Sequence, residues 1–371
     1  MSLALPRFGL AVPSTRIDQD QALTIARSLA RPSDEQDTWL PGMYQGTRIA
    51  SRHLALPDTL IRDILHGTRH SGSVYLPTSD PTDRGPTTGQ RLEHYRKLAP
   101  PLACEASHRA LQAAECLPEA ITHLVTVSCT GFLAPGLDRD LIVTLGLPST
   151  VERTHIGYMG CHGALNGLRV ARALAEADSS ARVLLCATEL CSLHYHYSWN
   201  PQKMVANALF ADGAAAVVAS ASTASGKACW HLRANGACLI PDSADAMTWT
   251  IGDHGFEMTL ARNVPSLIGQ HLRPFLHNWL QRHGLTIEQV AAWAIHPGGP
   301  KILTAVQQTL KLSEAQMQAS YAVLGRYGNM SSPTLLFILD ELACSEAVGP
   351  CVALGFGPGL AVEVALFDRG G

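Results

Sequence analysis

Three short segments carry side chains that could act together in nucleophilic catalysis by a thiol. The first is Gly157-Tyr158-Met159-Gly160-Cys161-His162-Gly163-Ala164. Glycines on both sides of Cys161 allow tight turns and close backbone approach. The pattern after it is helical, so the sulfur is expected near a helix N-terminus. Unpaired N–H groups there, and a protonated histidine nearby, would favour the thiolate and lower the pKa from its reference of about 8.5. The thiolate is the reactive form. The second segment is Trp293-Ala294-Ile295-His296-Pro297-Gly298-Gly299-Pro300. His296 leaves an apolar strand for a rigid loop, and strand ends are where α/β folds bind ligands. The third is Arg326-Tyr327-Gly328-Asn329-Met330-Ser331-Ser332-Pro333. Asparagine before a helix is first of all an N-cap, and Asn329 gains a chemical role only beside the other two. The plain alternatives are a buried cysteine and a satisfied buried histidine. His162, His194 and His196 have nothing that fixes their direction and read as structural or surface groups.

The elements that must position these residues alternate between strand and helix, which predicts an α/β fold. Two stretches share one order of parts: turn, helix, strand, Phe-x-x-Gly turn, strand. The first starts at Tyr158, with helical Leu165, Leu168 and Leu174, a strand over 181–187, and Phe210-Ala211-Asp212-Gly213 leading into a second strand. The second starts at Tyr327, with helical Leu335, Leu336, Ile338, Leu339 and Leu342, a strand over 351–355, and Phe356-Gly357-Pro358-Gly359. Strands over 121–127 and 290–295 precede them. This echo predicts two pseudo-symmetric halves, 1–220 and 221–371, joined by the small polar stretch at 220–227. Cys161 and Asn329 would then open corresponding helices and face one shared cleft. Residues 68–90, rich in Gly, Pro, Ser and Thr, read as a long loop.

Of the 371 residues, 46% are hydrophobic and 16% charged, enough apolar material for a large core. A net charge of -3 argues against a generic nucleic-acid binder. The start of the chain lacks a basic segment followed by a long apolar one, and no apolar run reaches the roughly 20 residues of a membrane span. A cytoplasmic location without membrane attachment is expected. The 10 cysteines form no Cys-x-x-Cys pair, so neither a zinc site nor a disulfide framework is expected.

Gly160-Cys161, His296-Pro297-Gly298-Gly299-Pro300, Gly328-Asn329-Met330-Ser331-Ser332 and Gly355-Phe356-Gly357-Pro358-Gly359-Leu360 resemble the signature segments of type III polyketide synthases, the chalcone synthase family. Residues 210–216 fit as well, and the likeness runs along nearly the whole chain in the family order. It implies a duplicated thiolase-type fold, layered αβαβα. It also implies that Cys161 takes a starter acyl group from coenzyme A. His296 would pair with Cys161, and His296 with Asn329 would donate hydrogen bonds to the malonyl thioester as CO₂ leaves. Iterative Claisen extension, with closure to a pyrone or phenolic ring, would follow. The expected partners are acyl-CoA, malonyl-CoA and a second copy of the chain. No cofactor and no acyl carrier protein would be needed.

By the same resemblance Tyr195 and Met258 fall at the junction of the coenzyme A tunnel and the cavity, where family members have Phe. Glu189 and Ser331 match cavity positions, and Phe256 lies beside Met258. Plant members reach a Met across the dimer interface; the similar segment here holds Cys129, Thr130 and Phe132, with Ala134 before Pro135. Arg48 and Arg52 are the candidates for the coenzyme A phosphates.

Ketoacyl-carrier-protein synthase III and hydroxymethylglutaryl-CoA synthase share the Cys/His logic, but Pro-Gly-Gly-Pro after His296 and Met-Ser-Ser after Asn329 favour the polyketide enzyme. A papain-like protease would carry its cysteine near the chain start in a different context. A metal-binding protein would need ligand spacing that the sequence lacks.

Overall fold

Alternation along the strands sets the layers. Val125 and Val127 pack into one apolar cluster while Leu124, just before them, packs into another. Val183, Leu185 and Ala187 divide in the same way from Leu184 and Cys186. In the second half Cys351 and Ala353 face the cluster that Val125 enters, and Val352 and Leu354 face a third. A strand with apolar residues on both sides must be covered on both faces. The computed structural model, which describes residues 2–221, 229–344 and 349–369, supplies that cover.

The sheet has ten strands. At its middle Leu3–Leu5 pairs antiparallel with Trp230–Leu239, Leu3 opposite Leu232. Outward through the first half come Asp212–Ala221, Arg182–Leu190, His123–Ser128 and, at the edge, Glu152–Gly157. Outward through the second half come Ala361–Arg369, Cys351–Gly357 and Ala292–Ile295. In both directions the first two steps are antiparallel and the third is parallel. The halves therefore repeat one topology, with an extra outer strand in the first. This is the duplication that the echo predicted, in the thiolase-type arrangement that the resemblance implied. The expected junction at 220–227 lies, past residue 221, outside the described residues.

Helices Gly163–Ala177 and Thr334–Ala343 form the central layer. Leu335 through Leu339 are all buried, and a helix that is apolar all round belongs inside. Thr88–Ala113 covers the outer face of the first half, and Val264–Gln281 with Pro300–Leu310 that of the second. The 68–90 stretch is tied down at both ends. Asp63 accepts from His70 N and Ser71 N at 2.9 and 2.7 Å, and Thr87 with Gln90 forms a capping box that stabilises the next helix start by about 1 kcal/mol. Among the described residues no helix is long and apolar enough to cross a membrane.

Candidate active site

Cys161 sits in a short 3-10 turn, Gly160–His162, that runs straight into helix Gly163–Ala177. Gly160 has φ of 75°, and a Cβ there would stand 2.6 Å from Pro358 Cδ, so glycine is required on both counts. The sulfur is buried and packs with Cys191 and Phe210. The side chains of Ser331 and Asn329 stand close enough to the sulfur to favour its charged form. The sequence thus brings together two members of its expected trio, and it adds Ser331.

Asn329 is not a helix cap. The helix begins at Thr334, and Asn329 lies in the turn before it, its Oδ1 accepting from Ser331 N–H at 2.8 Å. Ser331 has φ of 59°, a left-handed conformation unfavourable for a serine. The backbone of Asn329 is bonded on both sides to the first half. Its N–H donates to Leu209 O, and its carbonyl accepts from Ala211 N–H, each at 2.9 Å. The amide is therefore located by the segment that carries Phe210.

His296 enters from the end of Ala292–Ile295 as predicted. Its backbone is pinned by bonds to Leu354 O and from Gly298 N–H. The ring is buried, and neither nitrogen has a hydrogen-bond partner. Burial, with the charge of His162 adding to it, pushes its pKa down to about 3. Burial likewise pushes Cys161 up to about 11, against the pull of Ser331 and Asn329. This corrects the expectation of a lowered thiol. The helix start and nearby imidazole are present, but desolvation of a buried sulfur outweighs them.

Two cavities lie side by side, and Cys161 opens on the first. The first, about 360 Å³, is lined by Cys129, Thr130, Cys161, Trp249, Met258 and Ser331 among others. The second, about 430 Å³, is lined by His194, Tyr195, Lys203, Phe256 and Met258 among others. Cys191, Phe210, Trp249 and Met258 form the shared wall. Tyr195 lines the second and not the first, and its hydroxyl donates to Phe210 O at 3.1 Å. Cys129 accepts from Gly160 N–H at 3.0 Å through its sulfur and from Trp249 Nε1 at 2.8 Å through its carbonyl.

Glu189 lies one layer behind the wall rather than on it. It accepts from Ser332 Oγ at 2.6 Å, Thr130 Oγ1 at 2.7 Å and Cys129 N at 2.8 Å. Burial raises its pKa to about 7, opposed by these bonds. Phe132 is misplaced by the sequence reading: it is 67% exposed, edge-on to Tyr158, outside both cavities. Arg52 is corrected too. It is fully buried, and its guanidinium donates to the carbonyls of Asn207, Ala208 and Phe210, which leaves it no reach to a solvent-borne phosphate. Arg48 is exposed over the Tyr321 ring at 5.2 Å and lines neither cavity.

Phe210, Cys191, His194 and Trp249 were missed as wall residues. Phe210 had a signal, since it stands in the echo opposite Phe356. Trp249 had none: it lies in the hairpin Met247–Gly252 with Gly255–Leu260, which no sequence pattern announced. His194 stacks on Phe256 with centroids 4.3 Å apart, a packing role.

Residues 78–223 match the family model described as chalcone and stilbene synthases, N-terminal domain, and residues 231–369 match its C-terminal counterpart. The alpha-pyrone synthesis polyketide synthase-like Pks18 of Mycobacterium tuberculosis is 31% identical, covering 97% of this chain and 90% of its own. The 1,3,6,8-tetrahydroxynaphthalene synthase of Streptomyces peucetius is 32% identical, covering 96% and 90%. The crystal structure of PKS-I from the brown alga Ectocarpus siliculosus superposes with a TM-score of 0.88 at 32% identity, covering 99% of this chain and 98% of that one.

Proposed function

The chain belongs to the chalcone and stilbene synthase family, the type III polyketide synthases, and on that premise we propose that Cys161, His296 and Asn329 are its catalytic residues. The observation that carries this is the buried Cys161 sulfur, which shares a largely apolar cavity with Ser331 of the other half and has Asn329 beside it. Cys161 attacks the starter thioester as its proton passes to His296, and the coenzyme A thiol leaves. Malonyl-CoA then binds with its thioester oxygen toward Asn329 and His296. Loss of CO₂ places negative charge on that oxygen, where aimed donors stabilise it most. The enolate carbon attacks the acyl-Cys161 carbonyl, and the thiolate returns.

Acyl-CoA and malonyl-CoA are the proposed substrates, with no cofactor and no acyl carrier protein. The bounds 1–220 and 221–371 are the proposed halves. A homodimer is supported by the exposed Phe132, Val143 and Met159 near the largely exposed edge strand Glu152–Gly157. Cytoplasmic work is supported by the 10 cysteines, all unpaired in the fold. Relatives named for a pyrone and for a naphthalene product make cyclisation to a pyrone or phenolic ring the expected end.

The test is a panel of acyl-CoA starters with malonyl-CoA, products read by mass and Cys161 acylation by intact-protein mass. The expected result is a single acyl adduct that Cys161→Ala abolishes, with chain-extended products and no carrier protein added. Products of normal yield from Cys161→Ala would refute it.

A further inference from the structure

The two cavities differ in charge. The lining of the first, where Cys161 opens, holds no Lys, Arg, Asp or Glu. The second is lined by Lys203 and Glu257 as well as by apolar groups. Of the three cations weighed so far, Lys203 lines a cavity, while Arg48 and Arg52 line neither. A coenzyme A thioester brings phosphates, and some acyl groups bring a carboxylate. Either needs a positive partner close to where the chain enters.

Lys203 is built to be that partner. It sits in the first turn of helix Pro201–Leu209, whose Asn200 cap accepts from Gln202 N and Lys203 N at 3.1 and 3.2 Å. The start of a helix is its positive end, where an acidic side chain is the stabilising choice. A lysine there adds to the positive field instead of offsetting it. Its side chain is 18% exposed, and Nζ meets Glu257 Oε2 at 2.6 Å. An ammonium has three donors, and Glu257 engages one of them. Glu257 is itself 39% exposed, so water screens the pair and its hold on Lys203 is weak.

A second positive charge stands behind the lining. Arg91 is fully buried and donates to the carbonyls of Leu193 and Tyr195, in the segment that lines this cavity. Its Nη2 is buried without a partner. Among the described residues it has no acidic neighbour in bonding range, so its charge is left uncompensated.

We propose that Lys203 binds an anionic oxygen group of the substrate in the second cavity, displacing Glu257 or sharing the ammonium with it. The group is a phosphate of the coenzyme A arm or a carboxylate on the acyl chain. The first cavity, without a charged lining residue, is left for the apolar part of the acyl group. The inference rests on the proposed coenzyme A substrates.

The test is calorimetric binding at low ionic strength to full-length protein carrying Cys161→Ala, so that nothing turns over. The ligands are coenzyme A, pantetheine, butyryl-CoA and succinyl-CoA. If the anion is phosphate, Lys203→Met should weaken coenzyme A about tenfold and leave pantetheine unchanged. If it is an acyl carboxylate, Lys203→Met should weaken succinyl-CoA about tenfold more than butyryl-CoA. Glu257→Gln removes the competing charge and should tighten the same ligand about threefold. A merely structural ion pair would weaken binding when either partner is lost. The same change, or none, for all four ligands with Lys203→Met would overturn the site. So would Glu257→Gln that fails to tighten, which decides the matter even if Lys203→Met does not fold. Condensation is read separately in the unsubstituted protein. Its absence beside these shifts in Kd would leave the anion site standing and remove the synthase reading.

Discussion

The two halves share a topology and differ in one connection. In the second half Cys351–Gly357 turns at once into Ala361–Arg369. In the first half the corresponding strands, Arg182–Leu190 and Asp212–Ala221, are separated by residues 191–211. That excursion holds Cys191 and Phe210 of the wall between the cavities, and His194 and Tyr195 of one cavity's lining. The first half thus supplies the nucleophile and the room around it. The second supplies His296 and Asn329. Duplication built the frame, and one lengthened loop made the halves unequal in chemistry.

This division can be broken most sharply by separating the two steps. Asn329→Ala should lower malonyl-CoA decarboxylation by about 10²–10³, the cost of one lost oxyanion donor, while Cys161 still accepts an acyl group. Quenched-flow loading beside CO₂ release checks this, and equal loss in both steps would erase the division. Arg52→Met should come next. Three carbonyls around the end of helix Pro201–Leu209 lose their donor, for about 3 kcal/mol of stability. The denaturant midpoint should fall while the KM for acyl-CoA in folded protein is unchanged. A raised KM at unchanged stability would return Arg52 to phosphate binding.

The last effect, read only as a pH slope, concerns Glu189, which ties Ser332 of the second half to Thr130 and Cys129 of the first. Its pKa rises from 4.5 unfolded to about 7 folded. Between those values the unfolded chain holds fewer protons, so stability falls as pH rises, then levels above about 7. Glu189→Gln should gain on the unsubstituted protein across that window and show no relative change below pH 4.5. Melting curves from pH 4 to 8 read the slope; parallel curves would mean an unshifted carboxyl.

Much of the frame was legible in the sequence because buried strands and an apolar central helix leave periodic marks. Ala292–Ile295 and Cys351–Gly357 fell where the pattern put them. His296 and Cys161 were legible because glycine and proline flank them. Less legible was anything decided by burial. The same glycines that marked Cys161 said nothing of the desolvation that raises its pKa. Arg52 looked like any basic residue until its guanidinium was seen enclosed by carbonyls. Neither the exposure of Phe132 nor the place of Trp249 on the wall was legible, since an isolated aromatic has no period to betray which way it faces.

The backbone bridge between Phe210 and Asn329 bears on redesign. A remodeller who enlarges the chamber at position 210 also tugs on the strand that aims the amide across the seam. Chamber size and turnover will therefore drift together in engineered variants. Libraries that vary 210 alone should be poorer than those that co-vary it with the 329–331 turn.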